Sequence, residues 1–194
     1  MPTNNEINSL IEKPMSSDSI EKYMRGGKLH ANIVTMESIT KYNNLSDVFK
    51  GNNHAILFTA TNTINSGHWQ CIFLDDNNLY FFDSYGMKPF ELINKVNLTI
   101  KDNDYGQNNN LSKLIHESRY FPNNCFMNTF EYQEKGSNVD TCGRHVVSCL
   151  ISKDICNKRS IHFDLNVYNV MVTELMKENK FKNYDETVSF IVEN

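Results

Sequence analysis

At 194 residues, 40% hydrophobic and formally −4, the chain is long enough for one domain with a buried core. Its mildly acidic balance gives no support to a broad nucleic-acid surface, and no apolar run approaches the ~20 residues of a membrane helix. Five cysteines, at 71, 125, 142, 149 and 156, include no CxxC pair, and a chain of this size needs no disulfide staples, so reduced thiols are expected.

The first thirty residues are polar, with a short helix predicted near 16–24 and a turn at Gly26-Gly27. They show no basic stretch followed by an apolar one, so a soluble, intracellular protein is expected, its segment 1–30 a mobile N-terminal extension. Residues 31–50 carry only weak helical patterns. From 55 onwards "AILFTAT", "HWQCIFL" and "LYFFDSY" are rich in branched and aromatic residues and read as strands. Next come predicted helices in "KPFELINKV" and "LSKLIHE", with the loop-like "YGQNNNLS" between them. "NCFMNTFEYQ" alternates as a further strand, and helices are predicted in "TCGRHVVSCLIS", over 164–178 and near 185–192. No repeat or linker divides the chain, so 1–194 is read as a single domain with its motifs in 55–155. Strands beside helices without regular alternation point to an α+β fold. The frequent asparagines read as the composition of an AT-rich genome, and the N-x-S/T sequons at Asn44, Asn97 and Asn110 carry little weight in it.

"DDNN" separates two of the strands and is strong turn chemistry. Pairing Leu74 with Leu79 across it sets Gln70 opposite Asp83 and His68 opposite Tyr85. His68 and Asp83 then lie diagonally on one face, about 7–8 Å apart at the backbone, within reach of an imidazole–carboxylate hydrogen bond. A carboxylate behind an imidazole fixes its tautomer and stabilises the imidazolium formed when the ring takes a proton. A one-residue slip would separate the two.

In "VDTCGRHVVSCL", Asp140 or Thr141 is a good N-cap and the residues after it are apolar at helical spacing. Cys142 therefore falls in the first helical turn, where the helix dipole and free N–H groups favour a thiolate. Gly143 removes a side chain where a substrate carbonyl would approach the backbone, and the Cys142 N–H becomes a natural oxyanion donor. Cys142, His145 and Cys149 share a helical face, yet a zinc site wants a further ligand that the sequence does not offer, so no metal is expected. Cys71 and Cys149 read as core residues. His145 is poorly placed to meet a thiol pointing off the tip of its own helix, and His54 and His116 lack a carboxylate.

Taken together, "GHW" at 67–69, "FFDSYG" at 81–86, "YQ" at 132–133 and "TCGRH" at 141–145 resemble one family. This is the cysteine peptidases that include adenain, the adenovirus maturation protease, and the SUMO-specific, ubiquitin-like proteases. The resemblance implies a papain-like α+β fold in permuted order, with a central mixed sheet flanked by helices. It makes Cys142 the nucleophile, His68 the general base, Asp83 the orienting carboxylate and Gln133 the side-chain oxyanion donor, with Trp69 and Gly143 beside the substrate. Gln133 stands further before Cys142 than the family's glutamine usually does, so "EKGSNVD" must fold back as a longer loop, with Asn138 or a backbone amide as substitute donor. No cofactor is implied.

Members of the family commonly cut after Gly-Gly-like pairs. The implied partner is a protein substrate: a viral capsid or structural precursor, or a ubiquitin-like tail. The small size and composition favour the first, as in a capsid-maturation protease of a DNA virus, virophage or related element, monomeric, acting in the host cytoplasm or virus factory and packaged in the virion. Deubiquitinating or deSUMOylating isopeptidase activity is the alternative, and acetyl transfer by the same His-Asp-Cys set a minor one. Neither a DNA nor a peptide activator is indicated. "MRGGK" at 24–28 also offers a self-processing site after Gly27.

Overall fold

The structure, a computed structural model, describes residues 4–26, 29–30, 32–63, 66–89, 110–135 and 139–193. The Gly27-Lys28 bond, Asn97, Asn138, nearly all of the helix expected in "KPFELINKV" and most of "YGQNNNLS" lie outside these residues. In chain order the elements are α1 (Asn4–Ile11), α2 (Ser17–Gly26), β1 (Ile33–Thr35), α3 (Met36–Ile39), α4 (Leu45–Phe49), β2 (His54–Thr63), β3 (Ser66–Asp75), β4 (Asn78–Asp83), α5 (Asn110–His116), β5 (Cys125–Met127), α6 (Cys142–Lys158), α7 (Leu165–Asn179) and α8 (Tyr184–Glu193). The strands form one sheet in the order β1-β2-β3-β4-β5. Its inner pairs are antiparallel and its outer pairs parallel, which makes it mixed.

The β3–β4 hairpin turns through Asp76 and Asn77, with φ of 44° and 63°. Left-handed conformations at both central positions match the twist of the flanking strands, and Asp and Asn tolerate them. The register is the predicted one: Leu74 pairs with Leu79 and Gln70 with Asp83. Alternation along the inner strands then sorts side chains into two cores. Ile56, Cys71, Phe73, Tyr80 and Phe82 pack with residues of α2, α6, α7 and α8. Ala55, Leu57, Ile72, Leu79 and Phe81 pack with α3, α4 and α5. The result is the expected α+β arrangement, a central mixed sheet between two helical layers.

Eleven of the seventeen residues of α6 are buried, so this helix runs through the core rather than along its surface. Its packing on β3 fixes where Cys142 sits. At the other end of the chain, α2 begins where Ser16 accepts the Ser19 N–H at 3.2 Å, and it buries Ile20 and Met24, one turn apart. The N-terminal residues, read from their polarity as mobile, are tied down: Met15 is buried, and the Arg144 guanidinium donates to the Lys13 carbonyl at 2.6 Å.

Two sequence expectations change. Residues 31–50 contain a strand, β1, ahead of two short helices, and β1 is held by parallel pairing to β2. The strand expected across "NCFMNTFEYQ" is only Cys125–Met127. At Asn128 a side chain takes over the pairing: its Oδ1 accepts the Asp83 N–H at 2.9 Å and its Nδ2 donates to the Asp83 carbonyl at 2.7 Å. The backbone beyond is freed to turn away. Among the described residues, no helix is long and apolar enough to cross a membrane.

Candidate active site

His68 and Asp83 meet as the register predicts. Nε2 of His68 lies 3.0 Å from Oδ2 of Asp83, and both side chains are buried. Asp83 is held from every direction: Gln70 Nε2 donates to Oδ2 at 2.6 Å, and the Tyr85 N–H donates to Oδ1 at 2.7 Å. The Tyr85 ring stacks on the imidazole with centroids 4.9 Å apart. Burial alone would discharge the imidazole, but hydrogen bonds and charge from Asp83 and Cys142 overcome it and raise its pKa to about 10. Burial likewise opposes ionisation of Asp83, and the His68 hydrogen bond and charge, Gln70 and the Tyr85 amide outweigh it, so its pKa is lowered. A charged pair results.

Cys142 opens α6 and is half-buried at the margin of the core. It lies near enough to His68 to help hold the charge on the imidazole. With Nε2 committed to Asp83, Nδ1 is the ring nitrogen left to meet the thiol. Trp69, on the opposite face of β3 from His68, packs beside the helix tip, and its Nε1–H donates to the Met15 carbonyl at 3.0 Å. A Cβ on Gly143 would lie 2.9 Å from the Met15 Cβ and 3.3 Å from Trp69 Cδ1. The bare glycine thus lets Met15 and Trp69 close against the helix tip, a use for it that the sequence did not reveal.

Gln133 is buried and spans the gap between the turn after β4 and the start of α6. The Ser84 hydroxyl donates to its Oε1 at 2.8 Å, and its Nε2 donates to the Val139 carbonyl at 3.1 Å. The Ser84 carbonyl accepts the Gln133 N–H at 3.0 Å as well as that of Tyr132. The turn after β4 therefore anchors Gln133 from both backbone and side chain, and Gln133 in turn holds the chain three residues before Cys142. Gly86 closes that turn at φ 67°, where a Cβ would lie 2.8 Å from the Thr129 carbonyl.

The other sequence candidates separate from this group. His145 turns its Nε2 onto Asp185 at 3.0 Å, and Cys149 is fully buried in the same core cluster as Cys71, so the helical-face metal set does not assemble. Among the described residues, Asp75, Asp76 and His162 group within 4.8 Å at the hairpin turn, but Lys153 already pairs with Asp75 at 3.3 Å. Residues that sequence reasoning missed are Gln70, Asn128 and Asp185. For Gln70 the signal was the register that set it opposite Asp83. For Asn128 and Asp185 no local pattern carried one.

No family model matches the chain. It is 28% identical over 162 residues to "Uncharacterized protein V9" of Sputnik virophage, covering 83% of this chain and 85% of that protein. Two solved structures share 11% identity with it. One is the C-terminal Ulp1 protease domain in complex with Smt3, the yeast orthologue of SUMO, at a TM-score of 0.37 over 97% of this chain and 80% of that one. The other is a de-sumoylating protease, at a TM-score of 0.40 over 98% and 79%.

Proposed function

We propose that the chain is a cysteine endopeptidase. One observation carries the reading: a buried imidazole with one nitrogen 3.0 Å from a carboxylate, electrostatically coupled to a cysteine at the tip of a helix. The Cys142 sulfur attacks a substrate carbonyl carbon, and the oxyanion that forms accepts from the Cys142 N–H and from Gln133 Nε2. Nε2 carries two N–H groups, and Val139 takes only one. His68 gives its proton to the departing amine, which leaves a thioester. The neutral ring then takes a proton from water, whose oxygen attacks the thioester and releases acid and thiol. Asp83 holds the ring in place and compensates its charge in each step.

The substrate we favour is a viral capsid or structural precursor cut after a Gly-Gly-like pair, a choice supported by the similarity to a virophage protein. Reactivity and substrate are tested separately. A thiol-directed acyl probe is expected to label wild type and to fail on Cys142→Ala and His68→Ala. Equal labelling of wild type and His68→Ala at neutral pH removes the activated pair. Cleavage of co-encoded capsid precursors, set against SUMO and ubiquitin fusions with Cys142→Ala as control, then decides between precursor processing and isopeptidase activity.

A further inference from the structure

Thr141 stands directly before Cys142, at the N-cap of α6, where a threonine ordinarily turns its hydroxyl oxygen onto the first helical N–H groups. Here it does not. Its backbone sits at φ −100° and ψ 1°, outside the extended conformation that capping requires, and it makes no side-chain cap. Its hydroxyl instead donates to Oδ1 of Asp185, carried by α8. The same oxygen receives His145 Nε2 at 3.0 Å, and Oδ2 accepts the Glu134 N–H at 3.0 Å. Thr141, His145 and Asp185 are fully buried. One carboxylate thus gathers three donors: the residue before the nucleophile, a residue on the first turn of its helix, and the amide next to Gln133. Burial pushes the Asp185 carboxyl upward, but His145, Thr141 and the Glu134 amide together hold it below the usual carboxylate range.

We propose that Asp185 is a positioning residue for the cysteine chemistry, holding Thr141 in a non-capping geometry so that the N–H groups at the tip of α6 stay directed at the Cys142 sulfur and the oxyanion. The inference rests on the peptidase reading and adds the device that keeps the helix end open. Free N–H groups at a helix start carry the positive end of its dipole, and a thiolate or oxyanion gains from them only while no side chain occupies them. Loss of the bond between Thr141 and Asp185 frees the backbone at φ −100° to move, and the N–H groups at the helix start then turn away from the sulfur.

The test is the second-order rate at which iodoacetamide alkylates Cys142 in the full chain at pH 7, read by mass spectrometry on the Cys142 peptide and well below each variant's melting temperature. Thr141→Val and Asp185→Asn are expected to react about three- to tenfold more slowly than wild type. Thr141→Ser, which keeps the hydroxyl, is expected to recover most of the rate. If Asp185→Asn does not fold, the valine and serine variants carry the test, because both leave Asp185 in place. Thr141→Val reacting at the wild-type rate, or Thr141→Ser as slow as Thr141→Val, overturns the proposal. Wild type reacting no faster than His68→Ala removes the peptidase reading instead.

Discussion

An imidazole buried at 5% exposure ordinarily gives up its charge, yet His68 is held protonated to about pH 10 because Asp83 and Cys142 outweigh the cost of burial. Its unfolded value is near 6.5, so the folded ring binds its proton more tightly. The resulting stabilisation is complete below about pH 6.5 and is lost as pH rises from there through about 10. Asp83 has the opposite sign: its depressed pKa contributes above the ordinary carboxylate range and fades as pH falls through it. The unfolding free energy from urea titrations should therefore decline from neutral to alkaline pH in wild type, by at most about 1.4 kcal/mol per pH unit. His68→Gln should show a flatter profile over the same interval. Equal slopes in the two proteins show that the pair is not charged in the folded state.

At the scale of elements, the turn that follows β4 decides whether Asp83 and Gln133 stay in register with each other. Asp83, Ser84 and Gly86 lie within four residues, and the Gly86 N–H closes the turn on the Asp83 carbonyl at 2.9 Å. Gly86→Ala adds a methyl group against the Thr129 carbonyl and strains a positive φ, a cost of about 1–3 kcal/mol. Because Ser84 holds Gln133, the same variant should slow cleavage as well as lower the urea midpoint; wild-type turnover with lowered stability would show that the turn does not position Gln133. The hairpin was legible in the sequence because its information is local: turn residues, alternation and one register fix which side chains share a face. The helix start at Cys142 was legible for the same reason. Asn128 and Asp185 were not, since their bonds to Asp83 and Thr141 span 45 and 44 residues and follow from how the layers pack. The strand expected beyond Met127 failed on that point, because an asparagine side chain displaced a backbone ladder that alternation alone predicted.

Across the whole molecule, the N-terminal and C-terminal helices both converge on α6. From the C-terminal side, α8 supplies Asp185 and buries Val188 and Val192 beneath α6. From the N-terminal side, the Ile11 carbonyl accepts the Asp140 N–H at 2.8 Å, Lys13 accepts from Arg144, and Met15 accepts from Trp69. The Tyr23 hydroxyl then donates to Glu193 at 2.5 Å and links the two ends to each other. Residues 11–15 thus cover the indole and the helix tip together, and removal of the segment up to Met15 should uncover both. Trp69 is the chain's one tryptophan, so its fluorescence reports this contact alone. Met15→Ala leaves the backbone bond to the indole and removes a buried side chain, at a cost of about 2–5 kcal/mol. Deletion of residues 1–15 removes the bond as well and exposes a ring that is 7% accessible in the intact chain. The expected order is a lowered melting temperature with little spectral change for Met15→Ala, and a lowered melting temperature with a red-shifted emission for the deletion. A folded deletion variant that emits at the wild-type wavelength would show that the segment does not shield the indole, and the N-terminal helices would then be passengers on a site held by β3, α6 and α8.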